Sequence, residues 1–378
     1  MKIAIVHEWL VTYAGSEKVI EQLLQVFPEA DLFALVDFLP ADARGFLGGK
    51  AVKTSFLQEF PLINSKNYRS YLPFMPMAVE QFDLSNYDVI ISNCHAVSKG
   101  VITSPDQLHI SYIHSPMRYA WDLQDTYLKG SGFGKLKGVV ARVLLHYIRN
   151  WDFLAAQRPD KLLANSNFIG RRVKKFYRRD ATTFYPPVDT DSFVPGQTRE
   201  DFYLAASRLV PYKRFDIIIQ AFSAMPEKRL VIIGDGPDAS KLMKNLPPNI
   251  TWLKYQPDDI LRNQMQRCKA FVFAAKEDFG IMPIEAQACG APVIAFGDGG
   301  LTETVISLGV ESPTGIFFHP QTADALCDAV KVFETNQQIF TVANCRRNAE
   351  RFSVQRFRRE IEQIVSAAWE EFEQEHHR

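Results

Sequence analysis

The sequence contains no long apolar run, and this absence excludes membrane-spanning proteins. A membrane-spanning helix needs about 18–20 consecutive apolar residues, and no stretch approaches that length. The apolar run that follows Met1 and Lys2 is too short for the hydrophobic region of a secretion signal, and no cleavage site follows it. We therefore expect a cytoplasmic protein.

Cysteine is scarce and scattered. The five cysteines are odd in number and form no C-x-x-C pair, so they fit neither a disulfide framework nor a zinc site. They are Cys94, Cys268, Cys289, Cys327 and Cys345. No other group of residues shows the spacing of metal ligands. We therefore expect free thiols, no cofactor and metal-independent chemistry.

The sequence also lacks net charge, because 43 lysines and arginines balance 43 aspartates and glutamates. Such a chain has no overall field that would draw it to nucleic acid. No nucleic-acid-binding motif accompanies its one strongly basic run. We therefore exclude nucleic acid as a partner and expect any basic surface to be local.

The residues that are present are typical of a globular protein of two domains. The chain has 378 residues, of which 47% are hydrophobic and 23% are charged. A chain of this length exceeds one comfortable hydrophobic core. Short apolar runs alternate with amphipathic helical patterns throughout, which predicts α/β domains with parallel sheets.

In the first half, this alternation predicts six strands and three helices. The strands are Lys2–Val6, Asp31–Val36, Asp88–Ser92, His109–Ile113, Lys161–Ala164 and Thr182–Tyr185. The helices are Ser16–Val26, Leu136–Gln157 and Phe168–Tyr177. The stretch from Leu39 to Phe82, rich in proline and aromatic residues, is assigned only as an insertion of loops and helices.

A proline-rich passage from Tyr185 to Thr198 is typical of a linker, and the alternation then restarts. The predicted strands are Phe202–Ala206, Leu230–Ile233, Ile250–Leu253, Ala270–Ala274, Pro292–Ala295 and Gly315–Phe317. The predicted helices are Phe215–Met225, Ala239–Asn245, Ile260–Cys268, Ile284–Cys289 and Ala323–Phe333, followed by a charged helix over Ser353–Glu371. We assign an N-terminal domain to residues 1–188, a C-terminal domain to 189–352 and the last helix to 353–378.

The segment from Ala275 to Ala286 follows a predicted strand and opens a helix. Gly280 permits close approach of the backbone to a ligand, and the helix start offers free N–H groups to a phosphate. Glu277 and Glu285, eight residues apart, flank this point. They can accept hydrogen bonds from sugar hydroxyls, or they can simply favour the dipole of the helix start. The residues alone leave both interpretations open.

Two further strand ends of the second half resemble ligand sites. Arg208 and Lys213 follow a strand, where ligands of open α/β sheets bind, and could converge on a diphosphate. A solvated basic loop is the alternative, and we assign Arg214 to it. Gly234 and Gly236 follow the next strand and leave room for a base or ribose, although a plain tight turn explains them equally well.

The first half has fewer such signals. Gly15 follows the first strand and could bring backbone N–H groups toward a phosphate, while Ser16 could serve as the N-cap of the helix. His114 and His7 lie at strand ends, where His114 could contact hydroxyls of a sugar or an acceptor. Structural roles are assigned to three other histidines, which are His95, His109 and His146.

Six of the nine residues from Arg171 to Arg179 are basic: Arg171, Arg172, Lys174, Lys175, Arg178 and Arg179. Such a run forms either a solvated face or a patch that meets anionic lipid headgroups. Further basic residues precede it in the same half, among them Lys129, Lys135, Lys137 and Arg142. We therefore expect peripheral association with the inner face of the cytoplasmic membrane.

Together these segments resemble the retaining glycosyltransferases of family 4, which have the GT-B fold. The resemblance covers the chain from Lys2 to about Phe357. It rests on an ordered set: the Gly15 loop, Asn165-Ser166-Asn167-Phe168, Pro186-Pro187-Val188-Asp189, Ser207-Arg208-Leu209 with Lys213, Gly234-Asp235-Gly236-Pro237, and the pair Glu277 and Glu285. It implies two Rossmann-like lobes whose parallel sheets face each other across a cleft, with the last helix crossing back to the first lobe.

The resemblance also implies a role for each matched residue of the C-terminal donor-binding domain. Arg208 and Lys213 would bind the donor diphosphate and stabilise it as it leaves. Glu285 would hold the ribose, and Glu277 would contact the transferred sugar. The backbone of four residues would help Glu277, namely Phe279, Gly280, Ile281 and Met282.

In the N-terminal acceptor-binding domain, the resemblance implies that Gly15 approaches the phosphates and that His114 lies near the sugar. Within the family, the segments Arg208–Asp216 and Tyr112–Tyr119 look most like the branch of bacterial O-antigen mannosyltransferases. GDP-mannose is therefore the expected donor, and a saccharide or a polyprenyl-diphosphate-linked saccharide is the expected acceptor. No nucleophile stands out, so we expect a same-face displacement.

Two alternatives remain beside this expectation. One is an enzyme of the same fold that is either a nucleotide-sugar epimerase or a transferase using a UDP-sugar. The other is a catalytically silent binding module, which would not need to keep Glu277, Glu285, Arg208 and Lys213 together. The residues from Trp252 to Gln256 are a candidate contact for the donor base.

Overall fold

The structure is a computed structural model that describes residues 1–130 and 134–376. It divides into two compact units. The first unit comprises Met1–Pro186 together with the chain from Phe357 on, and the second comprises Pro187–Arg356. Each unit contains a parallel sheet with helices, so the prediction of two α/β units is confirmed.

Within the described residues, the first unit has seven strands: β1 (Ile3–Leu10), β2 (Asp31–Asp37), β3 (Val52–Thr54), β4 (Val89–Cys94), β5 (Leu108–Ile113), β6 (Lys161–Ala164) and β7 (Thr182–Thr183). The helices between them are α1 (Gly15–Val26), α2 (Met75–Glu80), α3 (Gln124–Gly130), α4 (Lys135–Ala155) and α5 (Asn167–Tyr177). Short 3-10 turns lie mostly between β2 and α2.

The seven strands are parallel and follow the order β3-β2-β1-β4-β5-β6-β7. Successive residues of β1 point to opposite faces of this sheet. Ile3 and Ile5 pack into one apolar cluster, whereas Ala4 and Val6 pack into another. Both faces are therefore covered, which explains why the strand begins as a continuous apolar run.

The second unit has six strands: β8 (Tyr203–Ala206), β9 (Leu230–Ile233), β10 (Ile250–Trp252), β11 (Ala270–Phe273), β12 (Val293–Phe296) and β13 (Gly315–Phe318). Its helices are α6 (Phe215–Ser223), α7 (Ala239–Leu242), α8 (Asp258–Arg267), α9 (Ile281–Ala288), α10 (Leu301–Thr304), α11 (Ala323–Thr335) and α12 (Val342–Glu350). These sets refer to the described part of the chain. The strands are parallel in the order β10-β9-β8-β11-β12-β13.

The last helix, α13 (Val354–His376), packs on the first unit for most of its length. Phe357, Ile361, Val365 and Ala368 recur at helical spacing and are buried in the same cluster as Ile3 and Ile5 of β1. Phe357 also stacks on Phe184, with ring centroids 4.8 Å apart. The helix therefore completes one face of the first sheet.

Three local expectations are wrong. The first strand runs to Leu10 rather than ending at Val6. Ser16 is not the N-cap of α1, because the helix begins at Gly15 and its N-cap is Ala14, whose N–H donates to Glu17 at 3.0 Å. The stretch from Leu39 to Phe82 contains the strand β3 as well as helices.

Candidate functional site

The candidate site of the second unit lies at the carboxyl ends of two neighbouring strands. The chain runs outward from β8 to β10 and then returns to the other side of β8 as β11, which pairs with it in parallel. The strand order therefore reverses between β8 and β11. In open α/β sheets, ligands bind outside the strand ends at such a point. The loops that leave β8 and β11 contain the predicted charged residues.

Lys213 and Glu277 form an ion pair at this point. The ammonium of Lys213 donates to Glu277 Oε1 at 2.5 Å, and both side chains are 14% exposed. The same ammonium lies 5.3 Å from the ring centroid of Phe273 and 5.5 Å from that of Tyr212. The structure thus joins a residue predicted to bind diphosphate with one predicted to bind the sugar. Because the pair is not sealed from solvent, an anionic ligand can compete for the lysine.

Arg208 lies on the same loop as Lys213 and Arg214 but, unlike them, has no side-chain partner among the described residues. Its side chain is exposed and forms no hydrogen bond or ion pair with any other residue in the part of the chain that the structure describes. Arg214 is instead held by Asp216 at 3.0 Å and by Gln321 at 3.0 Å. Arg208 is therefore available to a ligand, whereas Arg214 has a local structural role.

Gly234 and Gly236 allow the loop after β9 to pack directly on the loop after β8. A Cβ atom at Gly234, whose φ is +137°, would lie 1.9 Å from the carbonyl oxygen of Ser207. A Cβ atom at Gly236 would lie 2.3 Å from the carbonyl oxygen of Leu209. Close packing of two backbones explains both glycines, so a ligand is not required to account for them.

Gly280 ends the loop after β11 and caps α9. Its φ of +95° lies in the left-handed region, which favours glycine. Phe279 is 3% exposed and packs on Phe352 with ring centroids 5.4 Å apart. Ile281 and Met282 are half-buried in the first turn. Backbone N–H groups of a helix start have no partner within the helix, so this end of α9 suits a phosphate or a hydroxyl.

Glu285 lies one turn into α9 and is only 4% exposed. A carboxylate at that depth is uncommon unless it is paired or has a function. On the edge strand β10, Trp252 donates from its indole to the carbonyl of Gly234 at 2.9 Å, and Tyr255 after this strand is 73% exposed. The predicted ribose residue is therefore buried, and the predicted base contact includes an exposed aromatic ring.

The first unit contains a buried polar network that connects the carboxyl-terminal halves of its three central strands. His114 after β5 is 2.7 Å from Asn93 Oδ1 on β4. The amide nitrogen of Asn93 lies 3.2 Å from Nδ1 of His7 on β1 and donates to the carbonyl of Ser16 at 3.0 Å. His7 in turn is 3.1 Å from Glu17 Oε1 on α1. The network runs across β5, β4 and β1 to the helix that begins at Gly15.

Glu8 is fully buried beside this network and is held as a carboxylate. It accepts hydrogen bonds from the backbone N–H groups of His95, Ala96 and Ser98 at 2.7–3.2 Å. The imidazole of His95 approaches it at 2.7 Å. Burial raises the pKa of Glu8, but His95 and these donors outweigh burial and keep it far below its usual value.

The pKa values of the two other histidines of the network, His114 and His7, are shifted in opposite directions. Burial, reinforced by the charge of His95, lowers the pKa of His114 to about 3, so this imidazole is neutral near neutral pH. Burial also lowers the pKa of His7, but the hydrogen bond and charge of Glu17 outweigh it and raise the pKa above its usual value. A neutral His114 donates from Nε2 to Asn93, which leaves its Nδ1 as an acceptor.

Sequence reasoning missed Glu8, Asn93 and Glu17, and it treated His95 as purely structural. In the structure, the ring of His95 lies 6.4 Å from that of His114 and its side chain is 27% exposed, so it belongs to the candidate site of this unit. A signal was present in the sequence, because Glu8 interrupts a run of apolar residues that otherwise form a buried strand. The structural assignment suits His109, which is buried against Ser92 at 2.8 Å.

The basic run from Arg171 to Arg179, on α5 and just after it, does not form one surface patch. Arg172 is buried, with hydrogen bonds to Ser115 at 2.7 Å and to Asp122 at 2.6 Å. Arg179 donates to backbone carbonyls after α4, including that of Ala156 at 3.1 Å. The exposed cations of the run are Arg171, Lys174, Lys175 and Arg178, of which Lys174 pairs with Asp180 at 2.7 Å. Among the preceding lysines of the prediction, the side chains of Lys129 and Lys135 lie outside the described residues.

Residues 1–130 and 134–376 contain neither a metal-binding group of side chains nor a membrane-spanning helix. No group of three or more histidine, cysteine, aspartate or glutamate side chains in these ranges is placed to hold a metal ion. No helix in the same ranges is both long and apolar enough to cross a membrane.

This architecture is found in solved structures of the GT-B class. Sucrose-phosphate synthase from Thermosynechococcus elongatus matches with a TM-score of 0.73 and 17% identity, over 97% of this chain and 99% of that one. Anabaena HepE in complex with UDP-glucose matches with a TM-score of 0.66 and 18% identity, over 97% of this chain and 100% of that one. At these identities the likeness shows the fold alone.

The match to a family model lies within the second unit. Residues 189–352 match the model of the family described as glycosyl transferases group 1. The D-inositol 3-phosphate glycosyltransferase of Mycobacterium sp. (strain KMS) is 28% identical over 172 residues, which cover 39% of each chain. The protein of that name from Mycobacteroides abscessus is 28% identical over 198 residues, 45% of this chain and 43% of its own. The matches thus span about 39–43% of the curated relatives.

Proposed function

We propose that the protein is a glycosyltransferase that takes a hexosyl group from a nucleotide diphosphate sugar. The observation that supports this most is the Lys213–Glu277 pair between β8 and β11, within the segment that matches the group 1 family. A cation and a carboxylate at one strand-end site suit a ligand that has both a diphosphate and hydroxyl groups. A silent binding module is the weaker candidate, because Arg208 is also exposed and available there.

The second unit binds the donor in this proposal. Arg208 and Lys213 contact the diphosphate, and the start of α9 at Gly280 adds backbone N–H groups. Positive charge fixed where negative charge develops stabilises the departing diphosphate, and no metal ion is needed for this contribution. Glu277 then accepts hydrogen bonds from the sugar hydroxyls, and Glu285 from the ribose.

The first unit binds the acceptor. Neutral His114 presents an Nδ1 acceptor, and its orientation is fixed by the hydrogen bond to Asn93. Such a group suits a hydroxyl of a sugar. The transfer retains the configuration of the sugar, with a phosphate oxygen of the donor accepting the proton of the acceptor hydroxyl. The acceptor is a saccharide or a polyprenyl-diphosphate-linked saccharide of a cell-surface polysaccharide such as O-antigen, and the protein associates peripherally with the membrane.

GDP-mannose is the proposed donor, on the resemblance of Arg208–Asp216 and Tyr112–Tyr119 to O-antigen mannosyltransferases. A UDP-sugar is the second candidate, because Anabaena HepE, of the same fold, was solved with UDP-glucose. The proposal is tested by incubating the protein with each donor and a polyprenyl-diphosphate-linked saccharide acceptor, with and without EDTA, and measuring release of GDP or UDP. Release of GDP from GDP-mannose supports the proposal. Release of UDP alone would make a UDP-sugar the donor in place of GDP-mannose. Release of neither nucleotide contradicts the enzymatic function.

A further inference from the structure

Helix α4 has apolar residues on a buried side and on a second, exposed side. One side faces the interior of the first unit, where Ile148 and Ala155 are buried and Trp151 packs against the core. The other side is exposed and is named here the α4 stripe. Its members are Leu136 (79% exposed), Val139 (58%), Val140 (52%), Val143 (51%), Leu144 (40%) and Tyr147 (66%).

The α4 stripe is one continuous surface of the helix. Relative to Leu136, its members follow at the third, fourth, seventh, eighth and eleventh positions, and residues at this spacing lie on one face of a helix. Leu154 extends the same side and is 62% exposed. Single exposed apolar residues are ordinary, whereas a contiguous apolar patch marks an interaction surface.

The charges beside the α4 stripe identify its partner. The sequence from Lys135 to Trp151 contains no aspartate or glutamate. The first acidic residue of the helix, Asp152, is fully buried and paired with Lys99. The exposed polar positions include the cations Lys137 and Arg142; Arg142 lies 3.7 Å from Asp125, and both of these side chains are largely exposed. The polar flanks of α4 itself are therefore basic.

We propose that the α4 stripe inserts into the interfacial region of an anionic lipid membrane. Helices that lie in the membrane interface combine an apolar face with lysines and arginines at its border, as α4 does. Tyr147 suits the same region, because its ring is apolar and its hydroxyl is polar. A second copy of the chain is a poorer partner, since two α4 helices in contact would bring like charges together.

This inference deepens the membrane association proposed above by assigning it to α4. The basic run from Arg171 to Arg179 contributes differently, because Arg172 and Arg179 are bound within the fold and Lys174 is paired with Asp180. Its exposed cations can add electrostatic attraction but no apolar contact. The apolar contact comes from α4, so loss of the stripe abolishes binding even when the cations of α5 are intact.

The test measures binding of the full-length protein to vesicles of equal parts phosphatidylcholine and phosphatidylglycerol, and to vesicles of phosphatidylcholine alone, by sedimentation. The test variant is Val143→Glu. Its matched control is Val332→Glu, the same change at a 41% exposed valine of α11. We expect Val143→Glu to weaken binding to the anionic vesicles by about tenfold or more, since a buried valine side chain contributes roughly this much, and Val332→Glu to bind as wild type.

Thermal unfolding and nucleotide titration accompany each variant. Unchanged unfolding and nucleotide binding in Val143→Glu show that only the membrane surface was altered. Equal binding of both variants to the anionic vesicles, or no binding of the wild type to them, overturns the inference. Neither result affects the proposed reaction. A vesicle-free dimer that Val143→Glu dissociates would assign the stripe to a second copy instead. If the wild type binds no nucleotide, the proposed reaction is contradicted, and the inference about the membrane is not affected.

Discussion

The two units have the same kind of parallel sheet but place their polar residues differently. In the first unit, His7, Glu8 and Asn93 belong to the strands themselves and satisfy one another in a buried network. In the second unit, Lys213 and Glu277 belong to loops after the strands and remain partly exposed. Polar groups buried in strands must be satisfied by the protein itself, whereas groups on loops can exchange a protein partner for a ligand. We therefore expect the first network to determine stability and the second pair to determine binding.

The largest expected effect is on stability, at Glu8. Substitution Glu8→Ala leaves three backbone donors and His95 without their acceptor and is expected to lower the free energy of unfolding by about 3–5 kcal/mol. Glu277→Ala removes the partner of Lys213 in a pair that is 14% exposed and is expected to cost about 1–2 kcal/mol. Urea unfolding of both variants measures the difference. Similar losses would contradict the comparison, and Glu8→Gln extends the test if Glu8→Ala does not fold.

The next effect is on activity, at Lys213. Lys213→Ala removes a cation proposed to stabilise the leaving diphosphate and is expected to lower kcat/KM by about 100-fold to 1000-fold. Lys276→Ala is the matched control, because Lys276 is the neighbour of Glu277 but pairs with Asp298 at 2.7 Å. Donor turnover by both variants is measured. An equal loss in both would indicate a general electrostatic effect instead of a specific contact.

The buried network also predicts a dependence of stability on pH. The pKa of His114 is about 3 in the folded protein, and that of His109 is also about 3 because of burial. An unfolded histidine has a pKa near 6.5, so below about pH 6.5 the unfolded chain binds more protons and stability falls. Each histidine contributes a slope that approaches about 1.4 kcal/mol per pH unit.

Between about pH 6.5 and pH 4.5, the effect of these histidines on stability can be measured apart from that of the carboxylates. Glu8 and Glu17 have lowered pKa values, so their contribution is present above an unfolded pKa of about 4.5 and is lost below it. His7, with a raised pKa, contributes fully below about pH 6.5 and loses its contribution only as the pH rises. We expect His114→Asn to reduce the slope of unfolding free energy against pH in this window. The exposed His146→Asn is the control, and an identical slope in both would contradict the account.

The smallest expected effect on stability compares two arginines. Arg208→Ala in the second unit removes an exposed side chain and is expected to change the free energy of unfolding by less than about 0.5 kcal/mol. Arg172→Ala in the first unit removes the buried partner of Ser115 and Asp122 and is expected to cost about 1–3 kcal/mol. Thermal unfolding of the two variants makes the measurement. A larger loss at Arg208 would show that its loop depends on it for folding.

Most of the fold could be predicted from the sequence because its strands are short, apolar and regularly alternated with helices. The strands Lys161–Ala164 and Leu230–Ile233 are predicted with their observed bounds. The prediction of strands and helices failed where their residues are polar or where the element is very short. The strand β1 was ended too early because His7 and Glu8 are polar. The helix Val342–Glu350 was missed because most of its apolar residues are small.

The candidate site was only partly predictable. Lys213 and Glu277 could each be proposed from a strand-end motif, but their contact depends on β8 and β11 being neighbours, which the sequence does not state. Gly234 and Gly236 were considered for a ligand, yet backbone packing alone accounts for them. Arg172 was assigned to a basic surface run, yet it is buried. Its burial could not be predicted, because its partner Asp122 lies 50 positions earlier in the sequence.

The central claim is that the second unit binds the nucleotide diphosphate of a sugar donor through its strand-end residues. Calorimetric titration with GDP-mannose, GDP, UDP-glucose and UDP tests it most directly, with Arg208→Ala and Glu285→Ala as comparison variants. The account predicts tight binding of the GDP ligands to the wild type and loss of that binding in both variants. Binding of the UDP ligands instead would change the donor but keep the site. Absence of nucleotide binding to the folded wild type, or equal binding by all three proteins, would contradict the account.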